Sequence, residues 1–223
     1  MNFILTVGLF TLFFTTIPFV AGLVTYRKLR PEFKILAMLF VVIFPVEAYS
    51  LYRLYYSQNN IWIYHFYFPV EYTALMYVFS VWQINSVVKK LIRLSIPVLI
   101  VISIIYTIQS PSFYVYNHLP MTIALPLYLL ISTYTLLNRY SQDKGNILKN
   151  PVFWVCAAVI LFSSCSLIHF VSLNMFAESK WIIIWAIHAV TNMIANLLYA
   201  VGFIVHYRFK SVDEEPKDRL MFR

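Results

Sequence analysis

Two glutamates are the residues best placed to do chemistry in this chain. The tetrapeptide Phe-Pro-Val-Glu occurs twice and ends at Glu47 and at Glu71, each time near the middle of a long apolar run. An ionisable side chain within a membrane-spanning segment nearly always faces the interior of a helix bundle, a water-filled cavity or a partner protein. The two carboxyl groups therefore indicate a site that binds a cation, carries protons or coordinates a metal.

Further polar residues fall at similar depths. With a rise of 1.5 Å per residue, Glu47 and Glu71 each lie about 15 Å from the same end of the bundle, although their helices run in opposite directions. His169 and His188 lie about 10 Å from that end, and Asn192 lies about as deep as the glutamates. Equal depth is necessary for these groups to form one site, but it does not fix the order of the helices.

The last apolar run carries the clearest polar face. His188, Asn192 and Asn196 follow one another at intervals of four residues, which places them on one side of an α-helix. Tyr67 precedes Glu71 by one helical turn and is a hydrogen-bond donor for its carboxylate. We therefore predict a ligand site in the bundle interior formed by Glu47, Glu71, His169, His188, Asn192, Asn196 and Tyr67.

The composition excludes a soluble domain. The chain of 223 residues is 61% hydrophobic and 12% charged, and its mean hydropathy is +0.74, which is typical of a protein that crosses a membrane several times. The formal net charge of +8 does not indicate nucleic-acid binding, because the basic residues lie between apolar runs and not on one soluble face.

The apolar runs predict an all-α polytopic fold with seven transmembrane helices, each long enough for a hydrocarbon core about 30 Å thick. We place a seven-helix transmembrane domain at residues 1–207 and a short cytoplasmic tail at 208–223. The predicted spans are Phe3–Tyr26, Ile35–Tyr56, Ile61–Trp82, Leu91–Ile108, Met121–Leu137, Pro151–Met175 and Ile182–Tyr207.

The distribution of Lys and Arg predicts the orientation. Of the 17 cationic residues, all but Arg53 and Lys180 follow the first, third, fifth or seventh run. Cytoplasmic loops are enriched in Lys and Arg, so we expect the N-terminus outside and the C-terminus in the cytoplasm. An odd number of spans agrees with this orientation.

Three interpretations of the polar residues remain open. On the first, they hold helices together, since such bonds between transmembrane helices contribute about 0.6 kcal/mol on average, and the chain is a structural or assembly subunit of a membrane complex. This explains Asn192 and Asn196 better than it explains two carboxyl groups. On the second, they line a pocket for a small polar or cationic ligand, walled by tyrosine and tryptophan.

The third interpretation is a metal-dependent intramembrane hydrolase. His169, His188 and Glu71 could hold zinc with an activated water. Seven-helix hydrolases of the alkaline-ceramidase type have a similar topology and use histidines, an aspartate and a serine. No aspartate occurs in any predicted span, however, and Asn192 stands where a second histidine would be needed one turn after His188.

The segment from Ile187 to Tyr199, together with Val70-Glu71-Tyr72, resembles an uncharacterised group of small seven-helix bacterial membrane proteins. The resemblance extends over most of the chain. It implies seven helices and a bacterial membrane, and it implies no particular activity.

These observations favour the second interpretation. We predict an integral plasma-membrane or bacterial inner-membrane protein, without a cofactor, that acts as a sensor, small-ligand binder or transport component through an outward-facing polar pocket. The expected partners are the lipid bilayer, the ligand and, because the loops are short, a membrane or cytoplasmic protein that carries any signal further.

Overall fold

The computed structural model describes residues 2–110, 113, 118–142, 146–175 and 181–213. These residues are almost entirely α-helical, with two short 3₁₀ turns at Tyr26–Lys28 and Ile147–Lys149. Seven helices, α1 to α7, follow in chain order at Asn2–Thr25, Pro31–Tyr55, Ile61–Trp82, Ser86–Gln109, His118–Gln142, Pro151–Met175 and Trp181–Asp213.

The all-α architecture predicted from the apolar runs is confirmed, and α3 and α6 begin and end at the predicted residues. Six of the helices in the described residues are long and apolar enough to cross a membrane. The exception is α3, whose tyrosines, histidine and glutamate reduce its hydropathy. The chain thus has the character of a multi-pass membrane protein, with six candidate spans and a seventh, more polar helix.

Several helix boundaries differ from the prediction: α2 begins at Pro31 and not at Ile35, and α5 runs from His118 to Gln142 and not from Met121 to Leu137. Helix α4 begins before Leu91 because Asn85 caps its first turn, where its Oδ1 accepts the backbone N–H groups of Val87 at 2.9 Å and Val88 at 3.3 Å. Helix α7 was predicted to end at Tyr207 but continues to Asp213. The predicted tail therefore starts as helix, and its residues 214–223 lie outside the described part of the chain.

Six helices form a closed ring. Helix α1 packs against α2 and α7, α2 against α3, α3 against α5, α5 against α6, and α6 against α7. Helix α4 lies outside this ring, where it packs against α3 and α5. The order of the helices, which the sequence left undetermined, thus brings α2, α3, α6 and α7 around one interior.

Basic residues gather at one end of the ring, which we call the basic end. The Lys28 Nζ lies 4.6 Å from the ring centre of Tyr207, and the backbone N–H of Arg30 donates to His206 Nε2 at 3.4 Å. Lys149 lies 5.6 Å from the ring centre of Phe209. These contacts hold the end of α1, the start of α2 and the end of α7 together.

Next to the basic end, the interior is filled by aromatic rings that we call the aromatic plug: Phe33, Phe40, Phe79, Trp82 and Phe203. All five side chains are at most 4% exposed. Phe33 packs against Trp82 at 5.7 Å and against Phe203 at 6.5 Å between ring centroids. Aromatic pairs at such distances stabilise beyond their buried area, so this half of the bundle is a close-packed core.

The outer surface is apolar. Large side chains such as Phe13, Val24 and Ile108 are 63%, 78% and 76% exposed, and α4 presents a series of exposed Leu, Ile and Val residues. A soluble monomer rarely exposes apolar area on this scale. The surface therefore suits contact with lipid.

Close packing at Gly22 gives a test of the fold. A Cβ atom at this position would lie 3.0 Å from the Ala37 Cβ and 3.3 Å from its Cα, so Gly22→Leu must push α1 away from α2. We expect the free energy of unfolding in detergent to fall by about 1–3 kcal/mol.

The control is Val24→Phe on the same helix, since Val24 is 78% exposed and a larger side chain there projects into lipid or detergent. Equal stability of Gly22→Leu and Val24→Phe would show that α1 and α2 do not pack as described.

Candidate functional site

A cavity of about 640 Å³ lies inside the ring, in the half away from the basic end. It is lined from α1, α2, α3, α5, α6 and α7 but by no residue of α4. At one end it reaches Asn60, in the connection from α2 to α3, and Ile61, the first residue of α3. Its floor includes Phe40 and Tyr199, which meet edge to face at 5.2 Å between ring centroids.

The structure brings every sequence-predicted site residue to this cavity. Its lining includes Glu47, Glu71, His169, His188, Asn192, Asn196 and Tyr67. The coincidence of depth along separate helices therefore corresponds to proximity in space. Whether these residues bind a ligand remains a prediction.

Helical periodicity explains how each helix contributes. On α7 the lining residues Trp185, His188, Asn192, Asn196 and Tyr199 recur every three or four positions, which is one face of an α-helix. On α2 and α3, Glu47 and Glu71 occupy the corresponding inward faces. The remaining faces of these helices are free to contact lipid or a neighbouring helix.

Glu47 is held by side chains of two other helices. The Oγ1 hydroxyl of Thr15, on α1, donates a hydrogen bond to Glu47 Oε2 at 3.0 Å. The Asn192 side chain of α7 also hydrogen-bonds the Glu47 side chain. Asn196 Nδ2 donates to Thr15 Oγ1 at 3.0 Å. These bonds connect α1, α2 and α7 through one carboxyl group.

Glu71 lies among tyrosines. The Tyr67 hydroxyl and the Glu71 carboxyl form a hydrogen bond, as the spacing of one helical turn predicted. Tyr64, Tyr128 and Tyr199 are close enough to interact with Glu71 electrostatically. Tyrosines of α3, α5 and α7 therefore lie near this carboxyl group and line the same cavity.

The two carboxyl groups are also close enough to interact with each other electrostatically. No Lys or Arg occurs among the described residues that line the cavity. Among the described lining residues, the carboxyl groups therefore have no Lys or Arg partner, and the only basic side chains are His169 and His188. Such a cavity attracts cations and repels anions.

The two histidines form a stacked pair between α6 and α7. The ring centroids of His169 and His188 lie 4.9 Å apart with an angle of 18° between the planes. Ser166 Oγ lies 3.4 Å from His188 Nδ1, and the His169 ring hydrogen-bonds the backbone of Ile184. Both histidines are thus bound to neighbouring groups of their own helix pair.

A metal centre finds no support in this geometry. Among the described residues, no three His, Cys, Asp or Glu side chains are placed to hold one metal ion. Glu71, which the hydrolase interpretation would join to His169 and His188, is engaged with Tyr67. The zinc interpretation therefore stays a prediction.

Neither Thr15, which contacts Glu47, nor several residues that line the cavity were predicted from the sequence. Thr15 is fully buried and joins the acidic site to α1, yet a threonine in an apolar run carries little signal by itself. Tyr64, Tyr128 and Trp185 line the cavity. The repeated spacing of three or four residues from Glu71 back to Tyr64 was the available signal.

Two aromatic and polar residues have roles away from the site. Tyr49, two residues after Glu47, packs edge-on against Trp62 at 5.9 Å between ring centroids. The Nδ1 atom of His65 lies 3.0 Å from Thr107 Oγ1, and this contact joins α3 to α4. His65 thus fits the interpretation of polar groups that hold helices together.

Comparison of the chain with protein-family models, with curated proteins and with solved structures gives no match. The resemblance to small seven-helix bacterial proteins therefore stays a prediction.

The role of Thr15 can be tested with an isosteric change. Thr15→Val removes the acceptor of Asn196 and a donor to Glu47 while keeping the shape of the side chain. We expect the free energy of unfolding in detergent to fall by about 0.6–1.7 kcal/mol, the range for hydrogen bonds between transmembrane helices.

Thr16→Val is the matched control, because the Thr16 hydroxyl bonds the Leu12 carbonyl of its own helix at 2.9 Å. If both variants unfold with the same free energy, Thr15 does not connect α1 to α2 and α7 as described.

Proposed function

We propose that this chain is an integral membrane protein that binds a small polar or cationic ligand in a pocket open to the non-cytoplasmic side, and serves as a sensor or transport component. The observation that supports the proposal is that both glutamates, both stacked histidines and the asparagines of α7 line the same cavity of about 640 Å³. Small-ligand sites are commonly concave, mostly apolar and provided with a few convergent polar groups, with volumes of about 300–1,000 Å³.

The proposed orientation follows from the two ends of the bundle. The end beyond the aromatic plug carries Lys28, Arg30, Lys149 and Arg208, and Lys and Arg are enriched on the cytoplasmic side of membrane proteins. The cavity reaches the opposite end at Asn60 and Ile61. The pocket would then open to the outside, with α3 as a seventh span.

The aromatic plug favours binding over conduction in this conformation. Below the cavity floor, Phe33 and Phe79 are 1% and 0% exposed, so packed rings separate the cavity from the basic end. Ligand that enters from outside would be retained at the level of Glu47 and Glu71. Any transport cycle would require these rings to move apart.

Access to the pocket can be measured with cysteine substitutions. Cys156 and Cys165 are unbridged, so both are first replaced by Ala. In that background we expect Ala189→Cys to react with a membrane-impermeant methanethiosulfonate added outside intact cells, because Ala189 lines the cavity and reaction requires a hydrated thiolate.

Val190→Cys is the neighbouring control, since Val190 is an exposed, apolar position on the outer surface where lipid disfavours the thiolate. Equal labelling at both positions, or labelling of Ala189→Cys from the cytoplasmic side alone, would contradict the proposed pocket or its orientation.

A second measurement separates a binding role from a structural one. In Glu71→Gln the amide oxygen can still accept the Tyr67 hydroxyl, and repulsion from Glu47 is removed. We therefore expect the free energy of unfolding to stay within about 0.6 kcal/mol of the wild type, the average for one polar contact between membrane helices.

Glu32→Gln removes the same charge from the first turn of α2, outside the cavity, and serves as the matched control. A much larger loss of stability in Glu71→Gln than in Glu32→Gln would favour the interpretation of Glu71 as structural.

A further inference from the structure

We infer that the ligand of this pocket is a small organic cation, a protonated amine or quaternary ammonium, whose charged end lies between Glu47 and Glu71. This inference rests on the proposed function and narrows it to a ligand class. It is carried by three features of the cavity: its pair of carboxyl groups without a Lys or Arg in the described lining, its tyrosine rings and its size.

The charge of the site sets the sign of the ligand. Glu47 and Glu71 interact with each other electrostatically, and none of the described lining residues is Lys or Arg. One ionised carboxyl group matches a monovalent cation, and the second can accept N–H hydrogen bonds or keep a proton. An anionic ligand would be repelled by the ionised carboxyl group.

The rings around Glu71 set the chemical type of the cation. Tyr64, Tyr67, Tyr128 and Tyr199 all interact with the Glu71 carboxyl group and all line the cavity. The faces of aromatic rings attract ammonium groups, and aromatic cages are a common means of binding quaternary ammonium. A carboxylate next to several phenol rings supplies both charge and cage.

The size of the cavity excludes a bare inorganic cation as the intended ligand. A cavity of about 640 Å³ is far larger than needed to surround Ca²⁺ or Mg²⁺, whose oxygen ligands lie about 2.0–2.6 Å from the metal. Much of the remaining lining is apolar, including Ile43, Leu51 and Phe162. The ligand therefore has an organic body that packs against these side chains.

Two buried hydroxyl groups provide further contacts for that body. Tyr128 is 3% exposed and Ser163 is 0% exposed, and neither hydroxyl has a hydrogen-bond partner among the described residues. Both residues line the cavity. Buried polar groups are normally hydrogen-bonded, so a ligand that carries a hydroxyl or amide group besides its ammonium would satisfy them.

The test compares cations with neutral molecules of the same shape. The purified protein is heated in detergent with each of two cations, choline and 2-phenylethylamine. Their neutral counterparts, 3,3-dimethylbutan-1-ol and 2-phenylethanol, are measured in the same way, and acetate serves as the anionic control. We expect at least one cation to raise the Tm by about 5 °C at 100 times its Kd, and its neutral counterpart to have no comparable effect.

The shift should be lost in Glu47→Gln and in Glu71→Gln and kept in Glu32→Gln. If one glutamine variant fails to fold, the other variant and the comparison of cation with alcohol in the wild type still decide the question.

The failure of this inference is distinct from failure of the proposed function. Equal stabilisation by an amine and its alcohol would overturn the cation but leave a ligand pocket. No stabilisation by either cation, with Ala189→Cys still labelled from outside, would overturn the cation and leave an accessible pocket. Absence of that labelling would overturn the pocket itself.

Discussion

The structure depends on keeping two carboxyl groups inside an apolar helix bundle. Removing a carboxylate from water is expensive unless hydrogen bonds or opposite charges replace its hydration. The chain provides hydrogen bonds to Glu47 from Thr15 and Asn192 and to Glu71 from Tyr67. Because Thr15 and Asn192 come from α1 and α7, the hydrogen bonds to Glu47 also favour the meeting of these two helices with α2 at the cavity.

The two halves of the bundle solve different physical problems. In the basic half, ring packing between residues such as Phe33 and Trp82 fills the interior. Gln83 Nε2 there donates to Thr135 Oγ1 of α5 at 2.7 Å. In the cavity half, polar groups converge on open space. The packed half therefore provides a rigid floor for the open half, with Phe40 and Tyr199 at the boundary.

Much of this arrangement was predictable from single helices. The apolar runs gave the helices, and the spacing of His188, Asn192 and Asn196 gave the inward face of α7, because both follow from helical geometry alone. The peripheral position of α4 and the contact of Thr15 with Glu47 were not predictable. Both depend on which helices are neighbours, and lateral order leaves no periodic signal in one sequence.

The continuity of α7 bears on the choice between the two proposed roles, sensor and transport component. Transporter sites are commonly built from interrupted helices, whereas α7 here runs unbroken from Trp181 to Asp213. Of the four glycines, Gly22 and Gly202 are used for close packing against α2 and α6, not for a break at the cavity. Helix α7 also carries cavity residue His188 and the basic-end residue Tyr207, which contacts Lys28. A continuous helix that joins the cavity to the contacts at the basic end is suited to transmit a displacement without opening a path, as the proposed role of a sensor requires.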